Sequence, residues 1–345
     1  KVRETRAVQY PTAIAPSLAI PYEQFLTHSI LASDRQMPGA TLGADLWISE
    51  YMTPCDIWQH GITRILAHRQ TAFQDLAIVE SGAYGKALIL DGKWQTCTGD
   101  EFLYHEPIVH VPFVLHGAPR RVLIAGGADG GAARESLKWK SIEEVVVADI
   151  DGEAVAACRE WLPEIHQGAF DDPRVRVEIG DAYEFIERTE GWDVIIADLT
   201  DPIEEGPAYK LFTREFFERC HRALTSDGVF VNQAGSLAPP LIDLLARTVN
   251  TIGAVFPHTT VIQASVPTYG SPWGLAVASK HPLNLRPDPT AIDALLAQQL
   301  TGSCRMFDGQ TYLGLLQSPK YVRERIQSES TIYSLASPPK FFGRS

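Results

Sequence analysis

From about residue 119 the chain settles into one rhythm, and that rhythm restricts its fold more than any other feature. Short apolar runs, RVLIAGG, EEVVVADID, RVRVEIGD, WDVIIADL, GVFVNQAG, TTVIQASV and GLAVAS, recur with helical patterns such as AARESLKWK, EAVAACREWL, AYEFIER and TREFFERCHRAL between most of them. Parallel strands need a crossover, usually a helix, so the alternation predicts an α/β fold built on a parallel, doubly wound sheet. Such sheets bind ligands in the crevice at the carboxyl ends of their strands.

Those ends are acidic. Asp129 follows the first run, Asp149 ends the second, Asp181 the third and Asp198 the fourth, with Asp201 just beyond. A single Asp after a strand is commonly a helix cap or a turn former. Four consecutive strands that all end in acid are poorly explained that way, and the five carboxylates are expected to converge on one crevice. No Lys or Arg stands in DVIIADLTDPIEEGPAYKLFT before Lys210, so unneutralised acids here suit a substrate that brings positive charge. Glu204 and Glu205 extend the loop, either toward a distal amine or into solvent.

GGADGG, Gly126 to Gly131, gives the first turn the flexibility that lets a ligand approach the backbone. Asp149, twenty residues beyond Asp129, stands where nucleotide-binding sheets place the acid that accepts from ribose hydroxyls. Asp129 inside the turn would repel a pyrophosphate. A cationic nucleoside without phosphates fits better, which points to an adenosyl sulfonium compound. S-adenosylmethionine carries a carboxylate that Asp129 would oppose, whereas its decarboxylated form presents only an amine and a sulfonium. A second amine near Asp198 and Asp201 would complete a displacement at carbon.

The remainder of the chain sets the frame. Residues 46 to about 100 hold stretches such as DLAIVES and KALILDGK, separated by turns at Ser81-Gly82 and Asp91-Gly92, and predict a small antiparallel sheet. EFLYHEPIVHVPFVLH reads as a helix that Pro107 and Pro112 should kink or interrupt. The expected division is a Pro-rich arm over 1–45, a β domain with its linking helix over 46–118, a catalytic domain over 119–317 and a tail over 318–345. With a net charge of -12 the chain is a poor partner for nucleic acid or an anionic membrane. No apolar run approaches the ~18 residues that span a bilayer. Cys55, Cys97, Cys158, Cys220 and Cys304 form no CxxC pair, and reduced thiols in a cytoplasmic setting are the simplest expectation. His105 and His110 stand five apart rather than four, which does not fit an HExxH zinc helix, and no metal is expected. Trp47 and Trp273 read as packing before substrate contact.

LDGKWQTCTGDEFLYHE, VLIAGGADGGAARE, VVVADID, GAFDDPRVRVEIGDA, DVIIADLTDP and VPTYGSPWG, in that order, resemble the polyamine aminopropyltransferases, the spermidine synthase family, over roughly residues 46 to 280. The resemblance implies a methyltransferase-type, Rossmann-like domain behind an N-terminal β domain, assembled as a homodimer or homotetramer. It implies transfer of an aminopropyl group from decarboxylated S-adenosylmethionine, a co-substrate rather than a bound cofactor, to putrescine. The alternative is the same chemistry on spermidine, giving thermospermine or spermine, since DPIEEGPAYKLFT resembles the thermospermine synthase form of the loop.

Position by position, the resemblance makes Asp198 the general base and Asp201 the anchor of the acceptor amine. Tyr104 and Tyr269 line the acceptor and the reaction centre, with Gln95 a further acceptor contact. Gln74, His105, Gly126, Asp129, Asp149 and Asp181 fall where the family binds its donor, Asp149 on the ribose and Asp181 near the adenine amino group. Two departures stand out. The family turn is usually GGGDGG, so Ala128 replaces a glycine, and the second-strand acid is usually Glu, so the shorter Asp149 must reach the ribose differently. A putrescine N-methyltransferase shares the fold but is disfavoured by Asp129. The Asp198, Asp201 and Tyr104 set argues against a polyamine-binding protein without catalysis.

Overall fold

The structure, a computed structural model, describes residues 43–44, 46–202 and 208–339; Glu204, Glu205 and nearly all of the expected arm over 1–45 lie outside the described residues. Five strands, β1 (Leu46–Thr53), β2 (Asp56–Gln70), β3 (Asp75–Ser81), β4 (Gly85–Leu90) and β5 (Lys93–Cys97), pair antiparallel in chain order. Both faces of the central pair are covered. Leu76, Ile78, Leu88 and Leu90 pack against the helix Gly152–Trp161, and Val79, Ala87 and Ile89 lie with Trp94 on the other side.

The seven apolar runs form β6 (Arg121–Gly126), β7 (Glu144–Asp149), β8 (Val175–Ile179), β9 (Trp192–Asp198), β10 (Leu224–Ser236), β11 (His258–Ala264) and β12 (Trp273–Ser279), in the sheet order β11-β12-β10-β9-β6-β7-β8. The strands are apolar on successive residues because each face meets a helical layer. Val122, Ile124, Val145, Val147, Val194 and Ile196 face the helix Phe102–His116, while Leu123, Ala125, Val146, Ala148, Ile195 and Ala197 face the helices Ala182–Glu187, Arg214–Ala223 and Ile242–Gly253. The order reverses at β6, which pairs with β7 on one side and β9 on the other. Crevices for ligands open at such a switch point.

Three features differ from the sequence expectation. The sheet is not wholly parallel, because β12 runs antiparallel to both β10 and β11. Only residues 265–272 separate β11 from β12, too few for a crossover helix, so the chain turns back on itself. The helix Phe102–His116 continues through Pro107 and Pro112 without interruption. Its residues Tyr104 to Val114 are all buried, packed against β9, β10 and the helices Gly131–Leu137, Pro289–Gln299 and Gly309–Leu315. That packing offsets the roughly 3 kcal/mol or more that an interior proline costs a helix. The stretch from 318 stays attached to the sheet: the helix Lys320–Ser328 packs on Ile242–Gly253, Arg325 bridges Asp243 and Glu329, and the Tyr333 N–H donates to Thr251 Oγ1 at 3.0 Å. No helix among the described residues is long and apolar enough to cross a membrane.

Candidate active site

At the switch point Gly126, the last residue of β6, is paired with Asp198, the last of β9. Gly126 has φ 82°, and a Cβ there would meet the Asp198 carbonyl oxygen at 2.1 Å. Only glycine fits. The same carbonyl accepts from the Gly127 N–H at 3.1 Å, which ties the turn to the end of β9. Ala128 is not among the residues with positive φ, so the alanine in place of the family's glycine carries no backbone strain.

A cleft of about 490 Å³ opens above this contact, and Asp129, Asp149, Asp181, Asp198 and Asp201 all line it. Gln74, Gln95, Tyr104, His105, Gly126 and Tyr269 line it as well. Three of the acids serve their turns with one oxygen. Asp129 accepts from the Gly131 N–H at 2.8 Å, Asp149 from Asp151 at 2.9 Å and Asp181 from Tyr183 at 2.9 Å. Capping and ligand contact are therefore not exclusive readings, because a carboxylate has a second oxygen. For Asp129 that oxygen faces His105 Nε2 at 3.4 Å, and for Asp181 it pairs with Lys210 Nζ. The Tyr104 hydroxyl donates to Asp198 Oδ1 at 2.7 Å, and Gln233 Nε2 donates to Asp201 Oδ1 at 3.3 Å.

The acids fall into two electrostatic classes. Burial would raise the Asp129 carboxyl, but the His105 imidazolium beside it, helped by the Gly131 N–H and Arg134, holds it below the usual range. Burial would likewise lower His105, yet Asp129 and Glu101 on its two nitrogens push it well above the ordinary imidazole value. Asp149 and Asp198 belong to the other class. Burial, reinforced by neighbouring carboxylates, raises each to about 6, and burial also raises Asp201. Tyr104 and Tyr269 are driven well above the usual phenol value by burial and then by Asp198, so both remain neutral donors.

Some expected residues are already engaged within the protein. Both His105 nitrogens are held by carboxylates, with Glu101 Oε2 at 2.7 Å from Nδ1 and Asp129 Oδ2 at 3.4 Å from Nε2. Gln74 Nε2 donates to Asp151 Oδ2 at 2.8 Å, which leaves its carbonyl oxygen to meet a ligand. Gln95 Nε2 donates to the Lys93 main-chain carbonyl at 3.1 Å, and the Gln95 main-chain carbonyl accepts from the Tyr269 hydroxyl at 2.7 Å. Trp47 bonds the Ala44 carbonyl and is packing, whereas Trp273 lines the cleft and donates to Gln233 Oε1 at 3.0 Å.

The sequence reading missed Glu50, Lys93 and Gln233. Glu50, on β1, lines the cleft, accepts from the Trp94 N–H at 2.8 Å and is pushed by burial to about 7; Lys93 draws it back down and Asp201 adds to the rise. Nothing in LWISEYMT distinguishes that glutamate from a solvated strand residue. Gln233 stands near the carboxyl end of β10, so the rule that found the aspartates could have found it too.

Among the described residues His110, Glu135 and Cys304 bring metal-ligand atoms within 4.8 Å of one another. Trp139 Nε1 donates to His110 Nδ1 at 3.0 Å, which places the ring proton on Nε2, the atom that faces Glu135 and Cys304. A protonated nitrogen cannot ligate. This cluster is a hydrogen-bonded core histidine.

Residues 101–287 match the spermine/spermidine synthase domain and residues 46–98 the spermidine synthase tetramerisation domain. The chain belongs to the spermine/spermidine synthase family. It is 50% identical over 302 residues to a polyamine aminopropyltransferase of Synechococcus sp. strain JA-2-3B'a(2-13), covering 85% of this chain and 97% of that one. It is 40% identical to a polyamine aminopropyltransferase of Aeropyrum pernix, covering 84% and 93%. The fold superposes on a spermidine synthase solved with the transition state analogue AdoDATO, with TM-score 0.76, 32% identity and 82% and 96% of the two chains covered. Spermidine synthase from Thermotoga maritima gives 0.75, 30%, 86% and 100%. As a member of this family the chain is an aminopropyltransferase, and the methyltransferase-type fold with its N-terminal antiparallel sheet is the family's.

The raised carboxyls of this family member make a stability prediction. Asp198 titrates at about 6 in the fold and at ~3.9 in an unfolded chain, so between those values the folded state holds more protons. Its cost is absent at low pH, grows as pH rises through that window and is complete above it. Asp198→Asn should therefore melt a few degrees above the parent at pH 8 and level with it at pH 4; a variant that melts lower at pH 8 would contradict the burial argument.

Proposed function

We propose that this cleft transfers the aminopropyl group of decarboxylated S-adenosylmethionine to putrescine, giving spermidine and 5′-methylthioadenosine. The observation that carries the reading is Asp198, a half-buried carboxyl poised at about 6, hydrogen-bonded by Tyr104 and lying beside further acids at the switch point. An aliphatic amine has a pKa of about 10, so freeing its lone pair at pH 7 costs roughly 4 kcal/mol. Asp198 takes that proton. The nitrogen then attacks the carbon on the sulfonium, the C–N bond forms as C–S breaks, and the C–S electron pair stays on sulfur. Sulfur leaves neutral, the positive charge ends on the new secondary ammonium, which departs protonated, and the proton held by Asp198 passes to water before the next turnover.

Asp201 and Glu50, both raised by burial, hold the acceptor's far ammonium between them. On the donor side Asp129 takes the aminopropyl amine and Asp149 the ribose hydroxyls. Asp181 meets the adenine amino group, sharing or exchanging its contact with Lys210.

Steady-state kinetics with putrescine and spermidine, products identified by mass, test the assignment. Putrescine should be the better acceptor; a higher kcat/KM for spermidine would overturn that choice. Asp198→Asn should lower kcat about 10²-fold or more at saturating donor, whereas Asp201→Asn should act chiefly on the acceptor KM. If both were turn formers only, each change would affect the two substrates alike.

Assembly belongs to the same reading. Ile57 (49% exposed) and Ile65 (48% exposed) on β2, with Tyr51 on β1, leave apolar surface on the sheet that matches the tetramerisation domain. Exposed apolar patches of this kind are commonly covered by a second subunit. Light scattering should give a multiple of the 38.0 kDa chain mass, and a monomer at assay concentration would reject the oligomer.

A further inference from the structure

Behind Asp129 the fold carries a line of buried charges that alternate in sign. Lys138 Nζ lies 2.7 Å from Glu135 Oε2, and Arg134 Nε donates to Glu135 Oε1 at 2.8 Å. Arg134 Nη1 and Nη2 donate to the two Glu101 oxygens at 3.1 and 2.8 Å. Glu101 Oε2 meets His105 Nδ1 at 2.7 Å, and His105 Nε2 faces Asp129 Oδ2 at 3.4 Å. The line ends at the cleft with Asp129; Glu101, Arg134 and Glu135 do not line it, and all three are buried.

An array of this kind is a poor way to stabilise a core, because each buried ion loses several kcal/mol of hydration that apolar packing would not lose. Its geometry serves one point instead. Gly131 lets the His105 ring lie against the start of the helix Gly131–Leu137, where a Cβ would come within 2.3 Å of the ring, and the Gly131 N–H holds Asp129's other oxygen. Asp129 is thus fixed from both sides, by backbone and by imidazole.

We propose that Glu101 and Arg134 are positioning residues for the donor: Arg134 orients the Glu101 carboxylate, Glu101 keeps His105 doubly protonated, and His105 pins Asp129 as a fixed anion toward the donor's amine. The inference rests on the reading of Asp129 as that amine's partner. The groups that face His105 are Glu101 from its own helix, Asp129 from the turn and the Tyr104 ring, edge-on at 5.4 Å, with Arg134 behind Glu101 and Asp198 across the turn. Burial alone would strip the imidazole of its second proton, and the two flanking carboxylates reverse that. Without the Glu101 charge, His105 keeps one anion and burial regains weight.

The test is a double-mutant cycle on donor kinetics. Asp129→Asn and Glu101→Gln should each lower kcat/KM for decarboxylated S-adenosylmethionine about tenfold or more, mainly through KM, with the acceptor KM nearly unchanged; the double variant should fall within about twofold of Asp129→Asn. Glu101→Asp, which keeps the charge, should recover part of the loss. Losses that add, or that fall equally on both substrates, would show Glu101 to be structural and overturn the proposal while the donor reading stands. An Asp129→Asn variant with unimpaired donor use would instead reject the donor reading, and the inference with it. Should Glu101→Gln fail to fold, ¹⁵N NMR of the unmutated protein decides: both His105 ring nitrogens should carry protons at pH 8.5, and a neutral ring there would overturn the proposal.

Discussion

The contact between the ends of β6 and β9 governs the rest of the site. Two parallel strands leave the sheet side by side, one turning into GGADGG and the other into the Asp198 loop, and their backbones touch through the Gly127 N–H and the Asp198 carbonyl. A side chain at residue 126 would force those backbones apart, since the Asp198 carbonyl already occupies its place. With them apart, the Tyr104 hydroxyl, carried by a helix locked in the core, would no longer meet Asp198 Oδ1. The missing methyl at one residue is therefore a condition for the geometry of the acid two strands converge upon.

That geometry sorts the carboxylates by who neutralises them. Asp129 has His105 and Asp181 has Lys210, so each has a basic partner within the protein without any ligand. Asp149, Asp198 and Asp201 are less well supplied, and burial raises all three. A raised carboxyl is one whose charge is under-compensated, and a cation in the cleft supplies what is lacking. The opposition expected between Asp129 and a donor carboxylate is softened accordingly, because an imidazolium stands beside it. On the donor reading proposed above, selection among cationic nucleosides would depend on how firmly Asp129 is held as much as on its charge.

How much of this could be read from the sequence follows from which forces are local. Seven apolar runs and the acids closing four of them identified the sheet and the cleft wall, since burial of a strand on both faces and the polarity of its end are written in consecutive residues. The direction of β12 was not legible, because it depends on where the chain goes between 264 and 273 rather than on GLAVAS itself. The helix Phe102–His116 was legible, but not its continuity through Pro107 and Pro112, which local propensity opposes and packing on both sides decides. Glu50 was invisible because β1 reads as an ordinary half-exposed strand, and its neighbours, Trp94 and Lys93 on β5 and Asp201 in the larger domain, lie far from it in sequence. His105 was identified, but not that carboxylates hold both its nitrogens, which depends on Glu101 one helical turn earlier and Asp129 across the turn.

The small antiparallel sheet is as much a wall of the site as a domain beside it. Thr71 and Gln74 both donate to Asp151 Oδ2, the residue that also caps the helix Gly152–Trp161, so one carboxylate fixes the β2–β3 connection to the second strand of the larger sheet. A second link runs the other way. Asp100 accepts from the Thr268 N–H at 2.9 Å and its hydroxyl at 3.1 Å, while His60, stacked on Trp94, bonds the Thr268 carbonyl at 3.1 Å. Thr268 precedes Tyr269, whose ring meets Tyr104 edge-on at 6.0 Å, so the placement of an aromatic that lines the cleft depends on side chains of the N-terminal sheet. Glu50 and Lys93 bring the same sheet to the cleft wall beside Asp201. Any contact that stiffens β1 and β2 from outside would act on the cleft through these bonds, without a residue of its own inside it.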